Sequence, residues 1–108
     1  FKAMLPYAYG INDNTLEEIL GLKLIEYKFT IATAESCTGG LIGKRLTDSA
    51  GSSEYFLGSV TTYSNQLKTS LLNVPNDIIQ KFGAVSEEVA LEMAKGVRDK
   101  TEADIGIS

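Results

Sequence analysis

The feature that most constrains the fold of this chain is a short β-favouring run followed by a glycine-containing loop and a helix. Residues 29–34 read Phe-Thr-Ile-Ala-Thr-Ala and predict a strand, because β-branched and aromatic side chains favour extended backbone. Glu-Ser-Cys-Thr-Gly-Gly follows at 35–40, and apolar residues then recur at helical spacing from Leu41. A strand that turns directly into a helix is typical of a layered α/β domain.

The remaining segments continue this alternation of helices and strands. Thr15 and Glu18 form a capping box, which predicts the start of a helix. The apolar face expected for this helix comprises Leu16, Ile19, Leu20, Leu24 and Tyr27. Further along the chain we predict strands at 55–63 and 103–108, and helices at 65–72, at 75–83 and from 86 onwards. Residues 15–108 are expected to form one α/β domain, and residues 1–14 a connecting segment from an upstream domain.

Length and composition fit one globular domain and argue against several classes of protein. The chain has 108 residues, of which 44% are hydrophobic and 22% are charged, close to globular averages. No apolar run approaches the roughly 20 residues that a membrane-spanning helix needs. The net charge of −4 argues against non-specific binding to nucleic acid, which depends on a basic surface. A single cysteine cannot form an internal disulfide, so the cytoplasm is the expected compartment.

The complete absence of histidine narrows the chemistry further. It excludes Ser-His-Asp and Cys-His catalysis, and also metal sites built on imidazole. One cysteine cannot supply a thiolate cage for zinc, so no metal site is expected. Acid–base chemistry must then come from Lys, Tyr, Asp or Glu.

The loop at residues 35–40 is the first candidate site, because ligands of α/β sheets bind beyond the carboxyl ends of the strands. A helix N-terminus there offers backbone N–H groups, and Gly39 and Gly40 would allow a ligand to approach closely. Ser36 and Thr38 add hydroxyls, so the loop could bind phosphate or expose a serine nucleophile beside oxyanion donors. The alternative is an ordinary turn in which Ser36 or Thr38 caps the helix.

Tyr63, Asn65 and Lys68 make up the second candidate group, at the end of the second predicted strand. Lysine can replace histidine as the base for a serine if burial or a positive potential keeps the amine neutral. Tyr63 could relay a proton, and Asn65 could orient either group or simply cap a helix. Taken singly, a helical lysine and a strand tyrosine are more often structural, so only their combination with Ser36 favours catalysis.

Two long stretches carry a resemblance to a known family. TAESCTGGLIGKRLTDSAGSSEYFLGSVTTYSNQLKTSLLNVP occupies residues 33–75, and FGAVSEEVALEMAKGVRDKTEADIGIS occupies residues 82–108. With these stretches and the helix from Thr15, the chain resembles the C-terminal domain of the CinA family, the competence/damage-inducible proteins of bacteria, whose stand-alone form is called PncC.

The resemblance implies a nicotinamide mononucleotide deamidase, which hydrolyses the carboxamide to nicotinate mononucleotide and ammonia in pyridine-nucleotide salvage. It implies a catalytic set of Ser36, Tyr63 and Lys68, no cofactor, and a homodimer with a three-layer α/β/α sandwich over a mixed sheet. Family members continue past the last predicted strand into a Thr-Gly-Ile-Ala-Gly-Pro loop and further strands. We expect these C-terminal strands to be missing from this chain, and that loop to hold the substrate phosphate.

The hypothetical mechanism leaves several roles open. Ser36 attacks the carboxamide carbon and Lys68 accepts its proton, while backbone N–H groups around Cys37 to Gly40 bind the oxyanion. Cys37 is the rival nucleophile, since the same helix terminus would lower a thiol pKa. Glu35 could orient Lys68, bind ribose hydroxyls or be a solvated charge. The competing functions are a non-catalytic nucleotide-binding module and a regulatory domain.

Overall fold

The computed structural model describes residues 7–10 and 13–108. Most of the connecting segment predicted for residues 1–14 therefore lies outside the described residues. The helices are α1 (Leu16–Tyr27), α2 (Leu41–Thr47), α3 (Asn65–Leu72), α4 (Asn76–Phe82) and α5 (Glu87–Thr101). The strands are β1 (Ile31–Glu35), β2 (Phe56–Thr61) and β3 (Ile105–Ile107), and a 3₁₀ turn spans Ser52–Glu54. Across these residues, every helix is too short or too polar to cross a bilayer.

Strand β1 organises the domain because it is covered on both faces and all five of its residues are buried. It lies between the other strands in the order β2-β1-β3, and both pairings are parallel. Ala32 and Ala34 point to one face and Ile31 to the other, as the alternation of a strand requires. A strand buried on both faces reads as an unbroken run of small or apolar residues, which is what residues 31–34 provide.

The two faces of the sheet carry separate hydrophobic cores. The first core joins β1 to the last three helices and comprises Ala32, Ala34, Leu72, Val74, Ile79, Val89, Met93, Val97 and Ala103. The second joins β1 to the first two helices and comprises Leu24, Ile31, Leu46 and Tyr55. Helices therefore cover both sides of the sheet, which confirms the three-layer α/β/α fold. The mixed sheet was also expected, but each pairing among the described strands is parallel.

Most helix ends lie where the capping signals predict them. Thr15 caps α1 in a full capping box, because its Oγ1 accepts from Glu18 N–H at 3.2 Å while Glu18 Oε2 accepts from Thr15 N–H at 3.2 Å. Ser86 caps α5 through the Val89 N–H at 3.2 Å. Gly83 ends α4 with φ 85°, a left-handed value that glycine adopts without strain.

The apolar face expected for α1 is wrong in part. Leu16 and Tyr27 are 47% and 61% exposed, whereas Gly21 and Leu24 are the buried residues of this helix. The cause is Tyr55, whose hydroxyl lies 2.4 Å from where a Cβ on Gly21 would be. Because the Tyr55 ring packs against Gly21, the helix is oriented with this glycine, rather than Leu16, toward the core.

Parallel pairing brings the two candidate segments to the same edge of the sheet. Glu35 at the end of β1 is paired with Thr61 at the end of β2, after a register shift between Ile31 and Ala32. Ser36 follows β1 directly, and Tyr63 follows β2 two residues later. This is the carboxyl edge, where α/β sheets bind their ligands.

Gly96 of α5 offers a test of how closely the helical layer is packed. A Cβ at this position would lie 2.1 Å from the Leu72 carbonyl oxygen, so α5 can approach the end of α3 only without a side chain there. Gly96→Ala should lower the free energy of unfolding by about 1–3 kcal/mol in urea denaturation, although alanine favours a helix by about 1 kcal/mol. Lys95→Ala, an exposed neighbour on the same helix, should change stability by less than about 0.5 kcal/mol. A more stable Gly96→Ala variant would contradict the packing described.

Candidate active site

Lys68 is the most unusual residue of the chain, because its side chain is only 1% exposed. Its Nζ lies 2.8 Å from the Thr62 carbonyl oxygen, 3.0 Å from the Tyr63 carbonyl oxygen and 3.1 Å from Ser36 Oγ. Helix α3 brings the lysine back onto the end of the strand that precedes it. A buried amine must have partners for its hydrogens, and here the three acceptors match the three hydrogens of an ammonium.

The same geometry suits a neutral amine equally well. A neutral lysine has two N–H bonds, which the two backbone carbonyls can accept, and one lone pair, which then faces the Ser36 hydroxyl. Burial lowers the pKa of Lys68 below its ordinary value of 10.5, while negative charge on Cys37 would act in the opposite direction. The arrangement therefore favours a base that can accept the serine proton.

Ser36 lies at the edge of a cavity of about 230 Å³ on the carboxyl side of the sheet. The loop after β1 forms one wall, and the segment that leads into α5 forms the other, with Val85 exposed at its rim. The lining residues are Ala34, Glu35, Ser36, Cys37, Thr38, Ile42, Ala84, Val85, Ser86, Ala90, Met93 and Ser108. Reactive groups thus lie on one side and mainly small or apolar side chains on the other.

Glu35 caps α2 from inside the protein. Its side chain is 2% exposed, and its two oxygens accept four hydrogen bonds. Oε1 accepts from the N–H groups of Gly40 at 3.1 Å and Ile42 at 2.9 Å. Oε2 accepts from the Gly43 N–H at 2.9 Å and the Ser59 hydroxyl at 3.1 Å. The Glu35 carboxylate hydrogen-bonds α2 and not Lys68, so the hypothesis that it orients the lysine is wrong, and its burial also rules out a solvated charge.

The pKa of Glu35 reflects this environment. Burial, the largest single effect, would raise it, but the backbone N–H groups of Gly43 and Ile42 together with the hydroxyls of Thr38 and Ser59 hold the pKa below its ordinary value of 4.5. The carboxylate is therefore ionised at neutral pH, and it already occupies the positive end of α2. A substrate phosphate cannot bind there without displacing it.

The backbone N–H groups expected to bind an oxyanion are fewer than predicted. Gly40 donates to Glu35 and Gly39 donates to the Ser36 carbonyl oxygen at 3.0 Å, so neither is available to a ligand. Within residues 7–10 and 13–108, the N–H groups of Cys37 and Thr38 have no backbone acceptor. These two donors come directly after the serine, where a nucleophile on a strand–helix turn finds its oxyanion donor.

Among the described residues, the side chains of Tyr63 and Asn65 make no hydrogen bond to Ser36, whereas Lys68 does. Tyr63 contacts Lys68 through its backbone carbonyl, and its side chain is 75% exposed. Asn65 is the first residue of α3 and lines a different surface depression. The cap of α3 is Ser64, whose Oγ accepts from Leu67 N–H at 3.1 Å, so Asn65 does not cap this helix. Catalytic and binding roles for Tyr63 and Asn65 stay predictions.

Two cations near the loop in sequence have other partners. Lys44 pairs with Asp48 on the surface of α2, and Arg45 pairs with Glu17 of α1. For the described part of the chain, no three Asp, Glu or Cys side chains are grouped so that they could hold a metal ion.

Ser59 and the far wall of the cavity have no role in the sequence-based prediction of the site. Ser59 lies on β2 opposite Thr33 and reaches Glu35 across the face of the sheet. Its polarity within a β-favouring segment was the only signal for it. Ala84, Val85 and Ser86 join the cavity only through the fold, and nothing in their sequence marks them.

Comparisons with known proteins agree on the family. A family model described as the CinA C-terminal domain matches residues 13–108. The CinA-like protein of Desulfotalea psychrophila is 51% identical over 106 residues, which are 98% of this chain and 26% of that protein. The chain spans about a quarter of the length of the curated relatives it matches.

Solved structures show the same fold. The crystal structure of a CinA superfamily protein from Escherichia coli has a TM-score of 0.81 and 29% identity, over 94% of this chain and 62% of that one. A competence/damage-inducible protein from Agrobacterium tumefaciens has a TM-score of 0.75 and 36% identity, over 88% of this chain and 60% of that one. Both are similar enough in sequence to support kinship as well as fold.

The lowered pKa of Lys68 makes a prediction about stability. Between that pKa and 10.5 the unfolded lysine carries a proton that the folded lysine has lost, so the free energy of unfolding should rise with pH in this window. Below the window both states bind the proton, and the contribution no longer changes. Urea denaturation at a series of pH values should show this rise in the wild type and in Lys95→Met, an exposed control. The rise should be smaller in Lys68→Met, and identical pH dependence in the two variants would contradict a perturbed Lys68.

Proposed function

Because the chain belongs to the family of CinA C-terminal domains, we propose that it is an amidohydrolase that acts on the carboxamide of nicotinamide mononucleotide. The products are nicotinate mononucleotide and ammonia. The observation that carries this proposal is the 3.1 Å contact between Lys68 Nζ and Ser36 Oγ, in a chain that has no histidine to serve as a base. The substrate comes from the family resemblance, since the names of the relatives refer only to CinA and to competence or damage.

The first half-reaction forms an ester on the serine. The Ser36 oxygen attacks the carboxamide carbon, and its proton passes to the lone pair of Lys68, which becomes an ammonium. Negative charge builds on the carboxamide oxygen, and the N–H groups of Cys37 and Thr38 lie on the loop where they could stabilise it. The carbon–nitrogen bond then breaks, the ammonium returns a proton to the leaving nitrogen, and ammonia departs. Lys68 reaches the serine directly, so this step needs no relay through Tyr63.

The second half-reaction releases the acid. Water attacks the ester carbon while Lys68, now neutral again, takes a proton from it. Collapse of the intermediate breaks the bond to Ser36, and the serine oxygen recovers its proton from the lysine. The enzyme ends in its starting state, and nicotinate mononucleotide leaves.

The size of the cavity supports a substrate that is only partly enclosed. At about 230 Å³ it is smaller than the roughly 300–1,000 Å³ of sites that enclose a whole drug-sized ligand. It suits the flat reacting ring, with Val85 and Met93 on its apolar side. None of the described residues that line it is a lysine or arginine, so the ribose and phosphate would extend beyond it.

A non-catalytic nucleotide-binding or regulatory domain is the competing function. The nucleotide-binding alternative depended on an anion site at the start of α2, and Glu35 occupies that place. The contact between the buried Lys68 amine and Ser36 favours catalysis over binding alone. A cytoplasmic location, a homodimer and an upstream domain stay predictions.

Ammonia release from nicotinamide mononucleotide tests the proposal. Ser36→Ala and Lys68→Met should each lower kcat at least about 10³-fold, because each removes one member of a unit that acts together. Lys95→Met is the matched control for the loss of a lysine and should keep wild-type activity. The assay should be run on this chain and on a longer form that carries the family's C-terminal loop. Activity that survives in Lys68→Met would contradict the Ser36–Lys68 mechanism.

Cys37→Ala separates the two neighbouring nucleophile candidates. The Cys37 side chain is exposed, and the Lys68 amine hydrogen-bonds the Ser36 hydroxyl. Cys37→Ala should therefore retain kcat within about 5-fold, since it removes none of the atoms that react. A folded Cys37→Ala protein without activity would assign the reaction to the thiol instead.

The pH dependence of catalysis should follow the lysine. Since only the neutral amine accepts a proton, kcat/KM should be low below the pKa of Lys68 and should rise as the pH passes through it, at a value under 10.5. A pH–rate profile with a buffer-independent assay measures this limb. A profile without an ascending limb below 10.5 would exclude Lys68 as the base.

A further inference from the structure

We infer that Glu35 is a positioning residue, whose carboxylate holds the loop 36–40 against α2 so that Ser36 stays within reach of Lys68. The inference rests on the proposed function in one respect, that Ser36 and Lys68 are the reacting pair. It gives Glu35 a role that acts through Ser36 and involves no contact with the substrate.

The first support is that hydrogen bonds within the protein fill the acceptor sites of the carboxylate. Each oxygen accepts two hydrogen bonds. Three of these four bonds come from backbone N–H groups at the start of α2, and the fourth comes from the Ser59 hydroxyl. Bonds from N–H groups to an ionised carboxylate are about twice as strong as neutral ones. No acceptor site is left for ribose hydroxyls, and the residue is only 2% exposed although it lies at the cavity wall.

The second support is where this clamp lies in the chain. Glu35 is the residue before Ser36, and it bonds to residues just beyond Gly39. The loop is thus closed into a ring by its own flanking side chain. Its backbone conformation, and with it the direction of the Ser36 hydroxyl, depends on that closure.

The third support is that Glu35 joins the two halves of the site. Its side chain bonds to α2, on the serine side. Its backbone carbonyl accepts from Thr62 N–H at 2.8 Å, and Thr62 in turn accepts from Lys68 Nζ at 2.8 Å. The carboxylate of Glu35 thus holds the nucleophile loop, while its backbone carbonyl is bonded to the strand end whose own carbonyl holds Lys68.

The fourth support is a close approach that serves this contact. A Cβ on Gly43 would lie 2.7 Å from Ser59 Cβ and 3.5 Å from Glu35 Oε2. Without a side chain at Gly43, α2 can lie against the sheet closely enough for its N–H groups to reach the carboxylate. Ser59 completes the set from the neighbouring strand.

The test compares Glu35→Gln with Ser59→Ala, and with Glu54→Gln as the control for loss of an exposed carboxylate. Two rates are measured well below each variant's melting temperature, where circular dichroism shows it to be folded. One is the rate at which a fluorophosphonate probe labels Ser36, located by peptide mass spectrometry. The other is ammonia release from nicotinamide mononucleotide.

We expect Glu35→Gln to lower the labelling rate and kcat by about 10²-fold, the cost of a small misplacement of a reacting group, with KM changed less than about 2-fold. Ser59→Ala, which removes one donor of four, should lower both rates by about 5-fold and keep the protein folded if Glu35→Gln does not fold. Glu54→Gln should match the wild type. A purely structural role would lower the melting temperature and leave both rates in the folded protein unchanged, which would overturn the inference.

Nuclear magnetic resonance adds a readout that does not need a substrate. The amide signals of Gly40, Ile42 and Gly43 should shift together as the pH falls through a value below 4.5, and this shared shift should vanish in Glu35→Gln. If the probe labels Ser36 in a Glu35-dependent way but no ammonia is released, the proposed function fails and the inference stands. If ammonia is released at the wild-type rate by folded Glu35→Gln, the inference fails and the function stands. A wild-type protein that is not labelled at Ser36 and releases no ammonia would overturn both.

Discussion

The hydrogen bonds that hold the buried Lys68 amine at the end of β2 are the interaction on which the site depends. Removing a charged amine from water costs several kcal/mol unless its hydrogens find acceptors. Two backbone carbonyls and one hydroxyl provide them here. The result is a lysine whose charge is disfavoured but whose position is fixed. That combination suits the role of base for Ser36 that we propose for Lys68.

The fold supplies these acceptors through ordinary parallel-sheet geometry. Strands β1 and β2 end side by side, so the residues after one strand meet the residues after the other. Helix α3 then returns Lys68 to the strand end, while α2 begins where the serine loop ends. The two helices pack on hydrophobic cores on opposite faces of the sheet, and Lys68 of α3 meets Ser36, which follows β1, at the carboxyl edge. Glu35 and Thr62 link these neighbouring elements by hydrogen bonds.

Local signals in the sequence predict much of this arrangement. The capping residues Thr15 and Ser86 place two helices, and the run before Glu35 places the central strand, because these depend only on neighbouring residues. Ser36 and Lys68 could be chosen because their types match the chemistry left when histidine is absent. Ser36 and Lys68 come close together because β1 and β2 are parallel and end at the same edge of the sheet. An α/β fold predicted from the sequence is consistent with such pairing.

Other features depend on contacts between distant residues and could not be predicted. Gly21 lies on the buried face of α1 because the Tyr55 ring packs against it. Glu35 meets α2 because Gly43 leaves room and Ser59 lies opposite. Tyr63 holds Lys68 by its backbone, while its side chain points outward, and a residue type alone carries no information about its carbonyl. These contacts are set by packing, which sequence spacing does not encode.

The most direct test of this account is the pKa of Lys68 itself. Carbon-13 labelling of lysine lets the side-chain signals be followed through a pH titration, and Lys68→Met identifies the signal of interest. Lys68 should titrate below its ordinary value of 10.5 and below the exposed lysines of the same chain. Ser36→Ala, which removes one hydrogen-bond partner, should alter the pKa of Lys68 and leave the other lysines unchanged. A Lys68 that titrates together with the exposed lysines would contradict the claim that this residue is the base.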